Sequence, residues 1–212
     1  MKPETTVKTA NKHEIKTRET RALLLKAAET IFVRDGYEGA ELGEIAALAG
    51  RTKGAIYAQF KSKEDMFLAL IEQYMLSYRA EMSELLAKST SVAENMVALR
   101  KFTLDLAKHE VWALLMLEFK LYAIRHPESK ERLESFNARM LYDDPEATLT
   151  RIFGPAGKGK NAISRTLAAF TLRPMLSALL LEAKFDPDLF GEDAIRKVFA
   201  KVFDAVLDTS SD

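Results

Sequence analysis

Apolar residues along this chain recur at spacings of three and four, and strict apolar–polar alternation is scarce. That rhythm predicts an all-α fold of about nine helices. The first helix is expected over 18–35, where Leu24, Ala27, Ala28, Ile31 and Phe32 form one face, and Gly36 ends it. Leu42, Ile45, Ala46 and Ala49 repeat the pattern in a short helix over 41–48. Gly50 suits the left-handed position that closes a helix, because it has no Cβ to clash there. Thr52 can cap a second short helix over 52–59 by accepting an N–H from its first turn. That helix carries Ile56 inward. A long helix follows over 62–88, with Ser62 and Asp65 spaced like a capping box at its start. Met66, Phe67, Leu70, Ile71, Tyr74, Met75, Tyr78 and Met82 run along it at helical spacing. At 1.5 Å per residue it spans roughly 40 Å.

Beyond it the same reasoning places helices at 91–108, which Ser91 and Glu94 open, and at 110–125, which Pro127 closes. Another begins near Glu128. Asp143-Asp144-Pro145 either kinks or ends it, with Asp144 capping a short helix to Phe153. Two more cover 162–185, with Pro174 inside, and 192–207. The stretches 154–161 and 186–188 read as a loop and a turn.

Two short helices joined at a glycine have the layout of a DNA-reading helix-turn-helix, and equally that of a plain helical hairpin. Charge adds to the first reading. The chain of 212 residues is neutral overall, but its first 26 residues hold seven basic and three acidic side chains. Between Gly50 and Lys63 the charged residues are Arg51, Lys53, Lys61 and Lys63, all basic. Composition is that of a globular chain, with 48% hydrophobic and 29% charged residues. It has no cysteine, which excludes disulfides and thiolate metal sites. No apolar run approaches the ~18 residues of a membrane span. No secretory leader is visible either, so the expected location is the cytoplasm.

Other chemistry is thin. His13, His109 and His126 are too scattered for a metal site, and the latter two stand near helix ends where a helix dipole favours them. No nucleophile–base pair can be read from spacing, so an enzyme is not expected, and neither is a cofactor. Gly154, Gly159 and Lys160 imitate a phosphate-binding loop, but Asn161 stands where Ser or Thr is needed and no strand precedes it.

The residues Ala49-Gly50, Lys53-Gly54-Ala55-Ile56-Tyr57, Phe60 and Ser62-Lys63-Glu64-Asp65 closely resemble the tetracycline-repressor (TetR) family of bacterial regulators, and most of all its multidrug-efflux branch. The motif match covers about residues 18–70; beyond it only the order of helices is similar. Residues 1–16, polar with Lys2, Lys8, Lys12 and Lys16 spread along them, read as a disordered basic arm; the resemblance implies a helix-turn-helix domain over 17–62 and a ligand-binding and dimerisation domain over 63–212. It implies that Tyr57 and Lys63 contact phosphate, the latter at the positive end of a helix. Arg51, Thr52, Lys53, Ala55 and Gln59 are then candidates to reach base edges, since Gln pairs with adenine and Arg with guanine. Gly54 costs a helix interior about 1 kcal/mol relative to Ala, which a close approach to phosphate would justify. Arg51 departs from the family pattern, which has a small apolar residue there. Ala58-Gln59 also departs, standing where an aromatic or His is common.

In the second domain, Tyr78, Phe102, Trp112, Met116, Phe119, Tyr122 and Phe170 are candidates to line a ligand cavity, with Arg139 and Arg173 to orient the ligand. Such stripes serve a core equally well. Leu172, Leu176, Leu179, Leu180 and Ala183, then Ile195, Phe199, Val202, Phe203 and Val206, form apolar stripes on the last two helices. In the family these helices build the four-helix bundle of a dimer, whose two-fold symmetry matches a palindromic operator. The expected partners are double-stranded operator DNA, an unknown small-molecule effector and a second copy of the chain, with no membrane. The expected activity is ligand-responsive repression. The alternative is a non-enzymatic helical adaptor with a vestigial helix-turn-helix.

Overall fold

The computed structural model describes residues 12–129, 131, 145–154 and 165–207, without the side chains of 145–146, 165–170 and 173. Among the described residues there are nine α-helices and no strand. They are α1 (Lys12–Gly39), α2 (Leu42–Leu48), α3 (Lys53–Tyr57), α4 (Lys63–Ala87), α5 (Val92–Ala107), α6 (Glu110–Arg125), α7 (Pro145–Phe153), α8 (Arg165–Glu182) and α9 (Glu192–Leu207). A short 3₁₀ turn at Pro127–Ser129 follows α6. Most of the helix expected from Glu128 onward, and Asp144 with it, lies outside the described residues.

The chain divides into two compact units, Met1–Gln73 and Tyr74–Asp212. The division falls inside α4, not at residue 62, because the first turns of α4 belong to the N-terminal core. Met66, Phe67, Leu70 and Ile71 are fully buried there with Leu24, Ala28, Ile31, Phe32, Ile45, Ile56 and Phe60. Phe67 stands edge-on to Phe32 at 4.9 Å, and its ring centroid is 5.1 Å from that of Tyr37. α1 begins at Lys12, inside the stretch expected as a disordered arm. Lys12-His13-Glu14-Ile15-Lys16 holds no Gly or Pro, so a helix anchored further on can propagate back through it, and Glu14 sits favourably in its first turn. Gly36 interrupts the helical backbone with φ 71°, as its position implied, and one further turn runs to Gly39.

The second unit is built around α9. Its face Ile195, Phe199, Phe203 and Leu207 recurs every fourth residue. That face packs into one cluster with Leu172 and Leu176 of α8, Leu149, Ile152 and Phe153 of α7, and Met82 and Leu86 of α4. Asn95 is buried on α5, and its Nδ2 donates to the carbonyls of Arg151 and Ile152 at 2.9 and 3.3 Å. Those are last-turn carbonyls of α7, which lack helical N–H partners. α5 opens on Ser91, whose Oγ accepts from the Glu94 N–H at 3.2 Å.

Candidate nucleic-acid interface

α2 and α3 are both too short to be stable alone, so their placement depends on caps and on the core beneath them. Ile45 and Ala46 of α2 and Ile56 of α3 are buried anchors. Gly50 takes φ 63° between the helices, the left-handed turn its lack of a Cβ permits. Thr52 caps α3, its Oγ1 accepting from the Ala55 N–H at 3.3 Å. α3 ends at Tyr57 rather than at Gln59, because the Gln59 N–H turns to the carbonyl three residues back, Ile56, at 2.8 Å. Phe60 then re-enters the core.

With Ile56 and Phe60 inside, the opposite face of the turn and α3 is outside. Arg51, Thr52, Lys53, Gly54 and Tyr57 are exposed, and Ala55 and Gln59 are half-buried. The Tyr57 ring is 60% exposed, too much for a core role. Gly54 has a helical backbone, and a Cβ added to it would meet nothing nearer than Thr52 Oγ1 at 3.6 Å. Nothing within the described chain therefore requires glycine there. Gly43 was not singled out in the sequence, yet an added Cβ would lie 2.7 Å from Cε of Lys53. Its bareness lets the Lys53 side chain lie across α2. Arg34 of α1 bonds Asp35 at 2.6 Å and Glu44 of α2 at 2.7 Å. These bonds, that to Asp35 foremost, raise the Arg34 pKa, and the bond from Arg34 lowers that of Asp35.

Lys63 sits at the first turn of α4, with Ser62 Oγ accepting from the Asp65 N–H at 3.0 Å. Its ammonium donates to the carbonyls of Glu38 and Ala40 at 3.1 and 3.3 Å. Two of its three N–H donors are thus engaged within the chain, which a purely phosphate-directed lysine would leave open. Arg51 Nη1 donates to the carbonyl of its own neighbour Gly50 at 3.0 Å, so its side chain folds back along the turn.

The segment 24–70 matches the model of bacterial regulatory proteins of the tetR family. Residues 24–70 are thus similar to the helix-turn-helix segment of the tetR family. Over 63 residues it is 43% identical to the HTH-type transcriptional regulator AcrR of Shigella flexneri, covering 30% of this chain and 29% of that one. Over 53 residues it is 47% identical to the HTH-type transcriptional repressor BepR of Brucella suis, 25% of each. The chain therefore matches less than a third of the length of these curated relatives. A crystal structure of a tetR-family regulator of Mesorhizobium loti shares the fold, with TM-score 0.65 and 21% identity over 91% of this chain and 97% of that one.

The family model stops at residue 70, so the second unit is read from its own geometry. Tyr78, Phe102 and Trp112 come together: Tyr78 is 5.3 Å from Trp112 and 6.5 Å from Phe102. Tyr74 and His109 complete the cluster, each 5.7 Å or more from its neighbours. Tyr74 could have been found as the residue one turn before Tyr78. His109 is an N-cap, its Nδ1 accepting from the Trp112 N–H at 3.3 Å, and is not placed there by a C-terminal dipole. Tyr122 is buried, its ring 4.4 Å from that of His126. Met116 and Phe119 are half-buried on α6. Arg139 lies outside the described residues, as do the side chains of Phe170 and Arg173.

A cavity of about 310 Å³ opens elsewhere, among α5, α8 and α9. None of the aromatic candidates whose side chains are described lines it. Its floor includes Leu104, Leu176, Leu180 and Ile195, and its rim holds Lys108 paired with Glu192. That pairing lowers the Glu192 pKa.

The candidate dimer stripes need correction. Leu172, Leu176, Ile195, Phe199 and Phe203 are at most 4% exposed in the single chain, so they are its own core. Leu179, Leu180, Ala183, Val202 and Val206 are partly buried against that core. Among the described residues on and between α8 and α9, the large apolar groups that remain outside are Leu181, Phe185, Leu189 and Val198. Among the described residues no group of three or more His, Cys, Asp or Glu could hold a metal, and no helix is long and apolar enough to cross a membrane.

Proposed function

We propose that this chain is a ligand-responsive transcriptional repressor that binds a palindromic operator as a homodimer. The observation that carries the reading is the outward face of α3. Gly54 is bare with no internal reason to be, and Arg51, Lys53 and Tyr57, close to it in sequence, are exposed. A bare glycine between exposed basic and hydroxyl groups is what a backbone needs to approach phosphate closely. In this reading α3 enters the major groove, Tyr57 positions it on phosphate, and Arg51, Thr52, Lys53, Ala55 and Gln59 are the groups near base edges. The BepR relative, a repressor by name, supports repression as the output.

A second copy would meet this one through Leu181, Phe185, Leu189 and Val198, the apolar groups left exposed on and between α8 and α9. Two α3 helices then address grooves about one turn, ~34–36 Å, apart. The aromatic group of Tyr74, Tyr78, Phe102 and Trp112 is the candidate effector site. An effector releases DNA only if it binds the unsuitable spacing of the dimer better, since equal affinity shifts nothing.

The test is a gel shift of the full chain on the intergenic DNA beside its own gene, with sizing of the complex. A shift that competitor DNA does not abolish, carrying two chains per duplex, is expected. No shift at low salt would end the reading.

A further inference from the structure

We propose that Arg21 is a positioning residue for sequence reading: it holds the exit of α3, and so aims Gln59, without touching DNA itself. The proposal rests on the DNA-binding reading above and names a further residue within it.

Arg21 lies on α1, one turn before Leu24 and Leu25 on the buried face of that helix. It is half-buried. Its Nη1 donates to the carbonyl of Gln59 at 3.2 Å, across 38 residues of chain. Its guanidinium also stacks over the ring of Phe60, with Cζ 4.3 Å from the centroid. Phe60 is 2% exposed, so the stack is made on a fixed surface.

α3 has five residues and gains little rigidity from its own hydrogen bonds. Its entry is tied by the Thr52 cap and its middle by Ile56. At its exit the Gln59 N–H has already turned to Ile56. The Gln59 carbonyl, past the helix end, is taken by Arg21. One guanidinium therefore fixes both the peptide after Gln59 and the ring that follows it. A planar fork suits this double task, and an ammonium does not. Losing it frees the Gln59 peptide to rotate, which moves the Gln59 side chain while leaving Lys53 and Tyr57 on α3.

The experiment uses the full chain as wild type, Arg21→Ala and Arg21→Lys. The probes are a duplex selected by the wild type from a random-sequence library and a scrambled duplex of equal composition. Arg21→Ala should lose about ten-fold in affinity for the selected duplex, the scale of one hydrogen bond to a charged group. Affinity for the scrambled duplex and both salt slopes should hold. Arg21→Lys should recover part of the loss, because it keeps the donor and forfeits the stack. Backbone amide exchange should rise at residues 58–61 in Arg21→Ala and stay level in α2. Equal losses on both duplexes, with each slope reduced by about 0.9, would place Arg21 on a phosphate and overturn the proposal. An unchanged affinity ratio with unchanged exchange would overturn it as well. If the wild type selects no duplex, the DNA-binding reading fails, and unchanged exchange at 58–61 would separately refute the hold on Gln59.

Discussion

The ammonium of Lys63 lies 4.7 Å above the centre of the Tyr37 ring. From there it reaches the carbonyls of Glu38 and Ala40. It thereby fastens the start of α4 to the link between α1 and α2, which sets where the helix-turn-helix begins. The bonds replace the N–H groups that those carbonyls lack once α1 has ended.

Lys63→Ala should therefore cost stability first. Hydrogen bonds to charged groups contribute about 1.5–3 kcal/mol; half exposure reduces this, and a loss of about 1–2 kcal/mol in urea unfolding is expected. The salt slope of non-specific DNA binding should fall by less than the ~0.9 that one full phosphate contact carries. Unchanged stability with a full-unit drop in slope would put the ammonium on phosphate instead.

Gly54→Ala should separate folding from binding. The helical backbone at Gly54 and the 3.6 Å clearance to Thr52 Oγ1 leave room for a methyl group. Alanine should raise stability by up to about 1 kcal/mol through helix propensity. The same methyl stands on the outward face of α3, so DNA affinity should drop while thermal stability rises. A stable variant with undiminished DNA affinity would remove the phosphate approach as the reason for glycine.

The two halves of the chain were unequally legible in sequence. Gly50, Thr52 and Ser62 each announce a local conformation, and the structure places each as a turn or a cap. Such signals depend only on near neighbours, which a sequence displays. Arg21, Gly43 and Lys63 act across the fold, and nothing near them in sequence shows their partners Gln59, Lys53 and Ala40. Periodicity located α8 and α9 but did not say which apolar stripe faces inward. Ile195, Phe199 and Phe203 read equally well as core or interface, and only the packing of α7 and α4 against them decides. The sequence carries α3 on to Gln59, because Gln suits a helix and no Gly or Pro marks the stop, whereas the structure ends it at Tyr57.

Acid should weaken the start of α5 in a defined direction. Glu94 Oε2 accepts from the Thr90 N–H at 2.7 Å and from its hydroxyl at 3.0 Å. Those bonds, the backbone one foremost, hold its pKa below the ordinary glutamate value. A group lowered on folding stabilises above its unfolded pKa, ~4.3 for Glu, and loses that contribution as pH falls through the lowered value. The stability difference between wild type and Glu94→Gln should thus be present at neutral pH and shrink below about pH 4. A difference that stays constant through that range would show that ionised Glu94 contributes nothing at this cap.

Exposed and buried apolar residues of the last two helices should respond in opposite ways. Phe199 is fully buried and Phe203 is 2% exposed, with ring centroids 5.7 Å apart. Phe199→Ala should cost about 3–5 kcal/mol by transfer and cavity terms together, seen as a lower unfolding midpoint. Leu181→Glu with Val198→Glu changes side chains that are 42% and 47% exposed in the single chain, so the fold should survive. If the second copy meets this face, the double variant should be a folded monomer by light scattering, with helicity unchanged. It should also bind DNA more weakly, because two α3 helices no longer dock as a unit. A double variant that remains dimeric would move the interface off Leu181 and Val198. One that unfolds would show instead that the two side chains support the core, as Phe199 does.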